Sequence, residues 1–193
     1  MAALGGSGNG AAMPYVPPPD LAALSLQEIA AQVAARKLPP VDQWQPAHSG
    51  DSEMQIAADG RWFHQGGEIK RPAMVRAFAS LLTRDAGGQH WLLTPHERLS
   101  IEVEDAAFIA VDVRQDQGAL AFRLNTDDLV LAGPDHPIIA RGDPDPPALS
   151  LAVRHATEAR LNRSTYGQLF EIALEGGKLS VTSQGALFPL VPQ

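Results

Sequence analysis

Two stretches of this chain carry the same spacing of apolar and basic residues, and that likeness limits the possible folds more than any other feature. Ile69-x-Arg71-x-x-Met74-x-x-x-Phe78-x-x-x-Leu82 lies over Leu161-x-Arg163-x-x-Tyr166-x-x-x-Phe170-x-x-x-Leu174 with one constant offset, and each stretch has a Gly pair and then an apolar run ending in Thr94 or Thr182. The spacing is helical, so each copy offers one apolar stripe that needs a sheet beneath it. The expectation is an α+β fold of two small lobes. Each lobe is a mostly antiparallel sheet with one packed helix, and an N-terminal helix is added to them.

The flanking residues supply the strands. Met54-Gln55-Ile56-Ala57 and Arg61-Trp62-Phe63-His64 surround Asp59-Gly60, a pair that tolerates the positive φ of a tight hairpin turn. Gly66-Gly67 then lets the chain bend, and Pro72 suits the first turn of a helix whose face, Met74, Val75, Phe78, Leu81 and Leu82, runs through three turns before Gly87-Gly88 ends it. His90 to Leu93 and Leu99 to Glu104 read as strands. Ala107 to Val111 and Leu120 to Leu124 form a second hairpin about the turn Gln115-Asp116-Gln117-Gly118. Beyond the loops at 133–137 and 141–147, Leu149 to Val153 extends, Thr165 to Leu174 is helical and Leu179 to Thr182 is a strand.

Ahead of all this, Ser25-Leu26-Gln27-Glu28 is a capping box opening a helix with Leu26, Ile29, Ala30 and Val33 on one face, stopped by Leu38-Pro39-Pro40. Val41 to Pro46 should run extended with Trp44 as its apolar anchor. Residues 1–19 hold four Gly and four Pro and no charge, which predicts a disordered leader rather than a signal peptide or membrane span. The domains expected are therefore 20–105 and 106–193, in a cytoplasmic protein. With 15 Lys+Arg against 22 Asp+Glu the net charge is −7, which disfavours nucleic-acid binding, and the absence of Cys excludes disulfides, thiolate metal sites and Cys nucleophiles.

Seven segments resemble the bacterial domain-of-unknown-function 1285 family in order and spacing. They are Leu38-Pro39-Pro40-Val41-x-x-Trp44, Asp59-Gly60-x-Trp62-Phe63-x-x-Gly66, Ile69-x-Arg71-Pro72, Leu93-Thr94-Pro95-x-Glu97, Ile101-x-Val103-Glu104-Asp105-Ala106-x-Phe108, Gly133-Pro134-Asp135-His136-Pro137 and Val153-Arg154. The chain departs from the pattern at Asn125-Thr126, where a Thr-Asn pair is expected, and at Ala107, where the family would have Pro. The resemblance covers roughly residues 25–190. It implies a two-domain α+β fold with a repeated structural motif and a role in signal transduction, with no established reaction.

Candidate chemistry is sparse. His96-Glu97 opens like a zinc-protease helix, but Ser100 stands where the second ligand would be, and no His pair in the chain has i, i+4 spacing, so neither a metal nor any other cofactor is expected. Thr94 with Glu97 matches a capping box for a single helical turn. Its alternative is that Thr94 and Glu97 face a cleft with the acidic group Glu102, Glu104 and Asp105, where one carboxylate could hold a proton. Arg71 and Arg163 stand at matching strand-to-helix corners, where a guanidinium could make an internal ion pair with Glu104, Asp105 or Glu158, or clamp an anionic ligand between the lobes. Asp127, His136 and Arg154 could join that cleft. Two functions follow: a non-enzymatic regulatory module binding a small molecule or a partner protein, and a hydrolase-like enzyme using carboxylates near Glu104 with an arginine as electrostatic stabiliser.

Overall fold

A computed structural model describes residues 15–193 of the chain. Its strands are β1 (His48–Ile56), β2 (Trp62–His64), β3 (Gly67–Glu68), β4 (Leu82–Arg84), β5 (His90–Leu93), β6 (Glu97–Val103), β7 (Phe108–Asp116), β8 (Ala119–Leu124), β9 (Leu129–Leu131), β10 (Ile138–Arg141), β11 (Ala148–Ala152), β12 (Glu158–Leu161), β13 (Ser180–Ser183) and β14 (Ala186–Pro189). The helices are α1 (Leu26–Ala35), α2 (Pro72–Ala79) and α3 (Arg163–Glu175). The first sheet has the order β3-β2-β1-β6-β5-β4 and the second, read from its other edge, β9-β8-β7-β12-β11-β10. Adding six to each number of the first reproduces the second. In both, two antiparallel meanders join through one parallel pair, β1 with β6 and β7 with β12. The fold is thus α+β with two six-stranded mixed sheets, each packed with a helix, and a separate β13-β14 hairpin.

The sheets repeat in a different register from the helices. β1 and β7 start at residues 48 and 108 and end at 56 and 116, an offset of 60 at both ends (108 − 48 and 116 − 56). The helical stretches are offset by 161 − 69 = 92. Each helix does follow the last strand of a meander, β3 or β12, and precedes a hairpin, which is why their sequences align. In the first lobe, however, the helix links strands three and four of the sheet, whereas in the second that link is the loop at 133–137 and α3 comes after the sixth strand. A period-3.6 apolar stripe reports only that a helix needs cover, and not which strand supplies it.

Several local expectations shift in the structure. The Ser25 capping box is present, with Ser25 accepting from the Glu28 amide and Glu28 reaching back. Hairpins form at Asp59-Gly60 and at Gln117-Gly118. α2 ends at Ala79, one turn earlier than expected, so Leu82 sits in β4 and Gly87-Gly88 turns the β4-β5 hairpin instead of ending a helix. Val41, in a 3-10 turn, is the buried anchor of its segment, and Trp44 is only half-buried. Residues 1–14 of the expected leader lie outside the described residues. Residues 15–19 lie against the second lobe, where Arg123 donates to the Pro18 and Pro19 carbonyls at 2.8 and 3.0 Å. No helix among the described residues is long and apolar enough to cross a membrane.

One apolar core runs through both lobes, from Ile56, Trp62, Leu82 and Ile101 to Phe108, Phe122, Leu151 and Leu169. Packed side chains therefore join the lobes, and a recess lined from both of them lies where they meet. The Asp59-Gly60 hairpin tip docks at this seam. Gly60 has φ +85°, and a Cβ there would stand 2.7 Å from Asn125 Nδ2 and 2.9 Å from Ile109 Cδ1. Left-handed strain and overpacking add at this one position, so Gly60→Ala should lower stability in urea titration by about 2–4 kcal/mol, while Gly118→Ala, which meets nothing within 4 Å, should cost about 1 kcal/mol.

Candidate functional site

The tightest charged cluster is centred on a residue that sequence reasoning passed over. Asp128 immediately precedes β9, and its side chain is only 4% exposed. Three guanidiniums from three separate elements reach it: Arg36 Nε from the end of α1 at 2.8 Å, Arg76 Nη2 from α2 at 3.3 Å, and Arg154 Nη2 from the β11-β12 turn at 3.2 Å. Thr126 Oγ1 donates to the same carboxylate at 3.2 Å. Arg154 also donates to the Ala79 carbonyl at 3.1 Å and lies 4.9 Å from the centre of the Phe108 ring, and Arg76 donates to the Thr126 carbonyl at 3.4 Å. α1, both lobes and the two turns meet at this one group.

The turns hold their residues in sparsely populated backbone conformations. Asp127 has φ 62°, and the consecutive His155 and Ala156 have φ 48° and 61°. The β11-β12 turn is closed by the Thr157 amide and hydroxyl, which both donate to the Arg154 carbonyl. Asn-Gly would sit there without strain, whereas His-Ala costs on the order of 1–3 kcal/mol per residue. Strained turns thus flank both Asp128 and Arg154.

The electrostatics at the hub are lopsided. Burial pushes the Asp128 carboxyl toward protonation, but the charges of Arg154, Arg36 and Arg76 and the hydrogen bond from Arg36 outweigh it and hold its pKa below the ordinary carboxylate range. Burial also lowers the Arg154 guanidinium, against the pull of Asp128. Among the described residues, Arg36 Nη2 and Arg154 Nε are buried with no acceptor in the protein. Both arginines line a recess of about 280 Å³, walled by α1 on one side and by β9 and Val153 on the other, with His136 and Gln184 at its edge.

The residues singled out from the sequence are dispersed. His136 and Arg154 share this recess, and His136 Nδ1 lies 3.2 Å from the Ala152 carbonyl. Asp127 is beside it but is engaged by the Tyr15 hydroxyl, which donates to it, and by Arg123 at 3.5 Å. Arg71 caps α2 without a side-chain bond and Arg163 begins α3; both are exposed. Their expected ion pairs do not form. Asp105 pairs with Arg160 at 2.7 Å, and Glu158 with Arg141 at 2.6 Å, around a second, 420 Å³ recess where the lobes meet. Thr94 Oγ1 accepts from the Glu97 amide at 3.0 Å, but in a β5-β6 hairpin turn and not a helical one, because the segment pairs as antiparallel strands on both sides. Exposed Glu104 accepts from Gln55 Nε2 and the Ala58 amide at 2.6 and 2.8 Å, stapling β6 to the first hairpin. Among the described residues, no cluster of three His, Asp or Glu has metal-binding geometry.

Comparison with known proteins adds a family. A model described as "Domain of unknown function (DUF1285), N-terminal domain" matches residues 39–106, and one described as "Protein of unknown function (DUF1285), C-terminal domain" matches 107–190. They meet in the link between β6 and β7. Arg76 lies in the first, Asp128 and Arg154 in the second, and Arg36 ahead of both. A crystal structure of a DUF1285 family protein from Silicibacter pomeroyi DSS-3 is 37% identical, covering 84% of this chain and 94% of that one, with a TM-score of 0.69. Another, from Shewanella baltica OS155, is 23% identical over 61% of this chain and 90% of that one, with a TM-score of 0.51, a likeness of fold alone. No curated protein matches.

Removing the carboxylate charge at the hub leaves three guanidiniums uncompensated, so Asp128→Asn should cost about 3–5 kcal/mol in denaturant unfolding. The folded-state pKa of Asp128 is depressed, so its contribution is complete above the unfolded value of about 3.9 and is lost as pH falls through the folded value. The stability gap between the two proteins should therefore stay level from pH 8 to 5 and narrow below about pH 4.

Proposed function

The chain belongs to the DUF1285 family, and from that premise we propose that it is a non-enzymatic binding module of a regulatory kind, whose site is the recess between α1 and the second sheet and whose ligand is a small anion. One observation carries this reading: three arginines converge on one buried carboxylate, which leaves an excess of positive charge at the wall of the recess. Arg36 and Arg154 both line the recess, and an oxyanion can accept from two guanidiniums at once. Glu104, the carboxylate of the hydrolase alternative, spends both oxygens on hydrogen bonds within its own lobe, which favours binding over acid–base work. Docking of α1 through Arg36 gives a bound anion a route to an outward response, as a signalling role requires.

Acetate and inorganic phosphate serve as first probes in thermal unfolding. At ten times its Kd, a ligand binding only the folded state adds about 1.4 kcal/mol, or roughly 3–5 °C for a chain of this size. That rise should appear with at least one of the two anions, with no turnover across esters, phosphates and glycosides, and should fall away in Arg154→Lys, which keeps the charge but loses the fork. No shift with either anion, or turnover of any of these substrates, would overturn the proposal.

A further inference from the structure

The recess where the lobes meet shares no lining residue with the one at Asp128. We propose that it is a second, separate site for a phosphoryl group, held by Arg84 and His90 of the first lobe and Arg160 of the second. Strand pairing brings these side chains together. Arg84 and His90 are register partners in β4-β5, so they project to one face of the first sheet, and the Arg84 amide donates to the His155 carbonyl of the β11-β12 turn at 3.0 Å. Arg160 and Glu158 lie two apart on β12 and share one face of the second sheet. The charge is in surplus. Among the residues that line the recess, Arg84, Arg141 and Arg160 stand against Asp105 and Glu158, which leaves 3 − 2 = 1 positive charge. Burial first, and then the neighbouring Arg84, lower the His90 pKa, so at pH 7 its ring is neutral and adds a donor without a charge. Both acids are already answered. Arg141 meets the two oxygens of Glu158 at 2.6 and 2.8 Å, and Arg160 Nε meets Asp105 at 2.7 Å. Arg160 gives Nη2 to the Ala58 carbonyl at 2.7 Å, which leaves Nη1 for a ligand. Arg84 carries the excess: among the described residues its guanidinium reaches only the Gly88 carbonyl, at 3.4 Å, and Glu158, at 4.0 Å, and its side chain is 40% exposed at the wall of the recess. A planar carboxylate is met by the fork of one guanidinium, whereas a tetrahedral oxyanion takes donors from several directions. Acetate therefore reports the Asp128 recess and phosphate this one.

Isothermal titration of the full chain with inorganic phosphate and with glycerol 1-phosphate tests this, together with phenylglyoxal labelling of the wild-type protein read by mass spectrometry. At least one of the two compounds should bind and slow the labelling of Arg84, while labelling of Arg98, stacked on Trp91 outside the recess, stays unchanged. Binding should persist within about twofold in Arg154→Lys and weaken by roughly ten- to a hundredfold in Arg84→Met, as the loss of a charge-assisted hydrogen bond requires. Tighter binding of the ester marks a phosphate monoester as the ligand, tighter binding of the ion marks free phosphate, and either result supports the site. Binding lost in Arg154→Lys puts phosphate at Asp128, which overturns the junction site and leaves the earlier anion reading standing. Binding unchanged in Arg84→Met overturns it too, and Arg84 labelling that neither compound slows does so whether or not that variant folds. Failure of both compounds with the acetate-induced rise intact overturns this site alone, and failure of all three overturns both.

Discussion

A buried carboxylate shared by three guanidiniums ties this molecule together. Asp128 receives Arg36 from α1, Arg76 from the first lobe and Arg154 from the second, so no one of these pieces can leave without stranding charge in a poorly solvated place. Such a hub is not strong evidence of stability in itself, because desolvation consumes most of the Coulombic gain. Its effect is to fix relative position. Apolar packing between lobes is non-directional, whereas a carboxylate met by forked donors accepts a narrow set of arrangements.

The duplicated sheets provide the frame on which the hub sits. The two six-stranded sheets share one strand order with a 60-residue offset, and the copies have diverged where they meet. The third-to-fourth strand link is a helix in one copy, which brings Arg76 to the seam, and a short loop in the other, which brings His136 to the recess. A symmetric pair would present either two helices or two loops.

How much of this the sequence discloses depends on the range of the interaction. Features decided within a few residues are legible: the Ser25 capping box, the Asp59-Gly60 hairpin and the Gln117-Gly118 turn, each with a local chemical signature. The duplication is legible as a fact but not in its register, since amphipathic helices align at any offset that matches their stripes. The spacing carries α2 past its observed end because Leu81 and Leu82 continue a helical pattern that the β4-β5 pairing overrides. The site is half-legible. Arg154 and His136 stand out in the sequence, whereas Asp128, Arg36 and Arg76 do not, because their partnership spans 92 and 52 residues (128 − 36 and 128 − 76) and nothing local marks it. The one available signal was a charged residue, Asp128, at the start of the apolar run Leu129-Val130-Leu131, where a carboxylate enters the core and must be answered.

Structure and chemistry meet in the imbalance of charge at the hub, which constrains the fold. A double-mutant cycle on Asp128→Asn and Arg154→Met measures that imbalance directly. If the hub is a shared, over-supplied carboxylate, removing Arg154 relieves part of the repulsion that the loss of Asp128 leaves behind, and the pair should be more stable than the sum of the singles by about 1–3 kcal/mol. Strict additivity of the two substitutions would contradict the account.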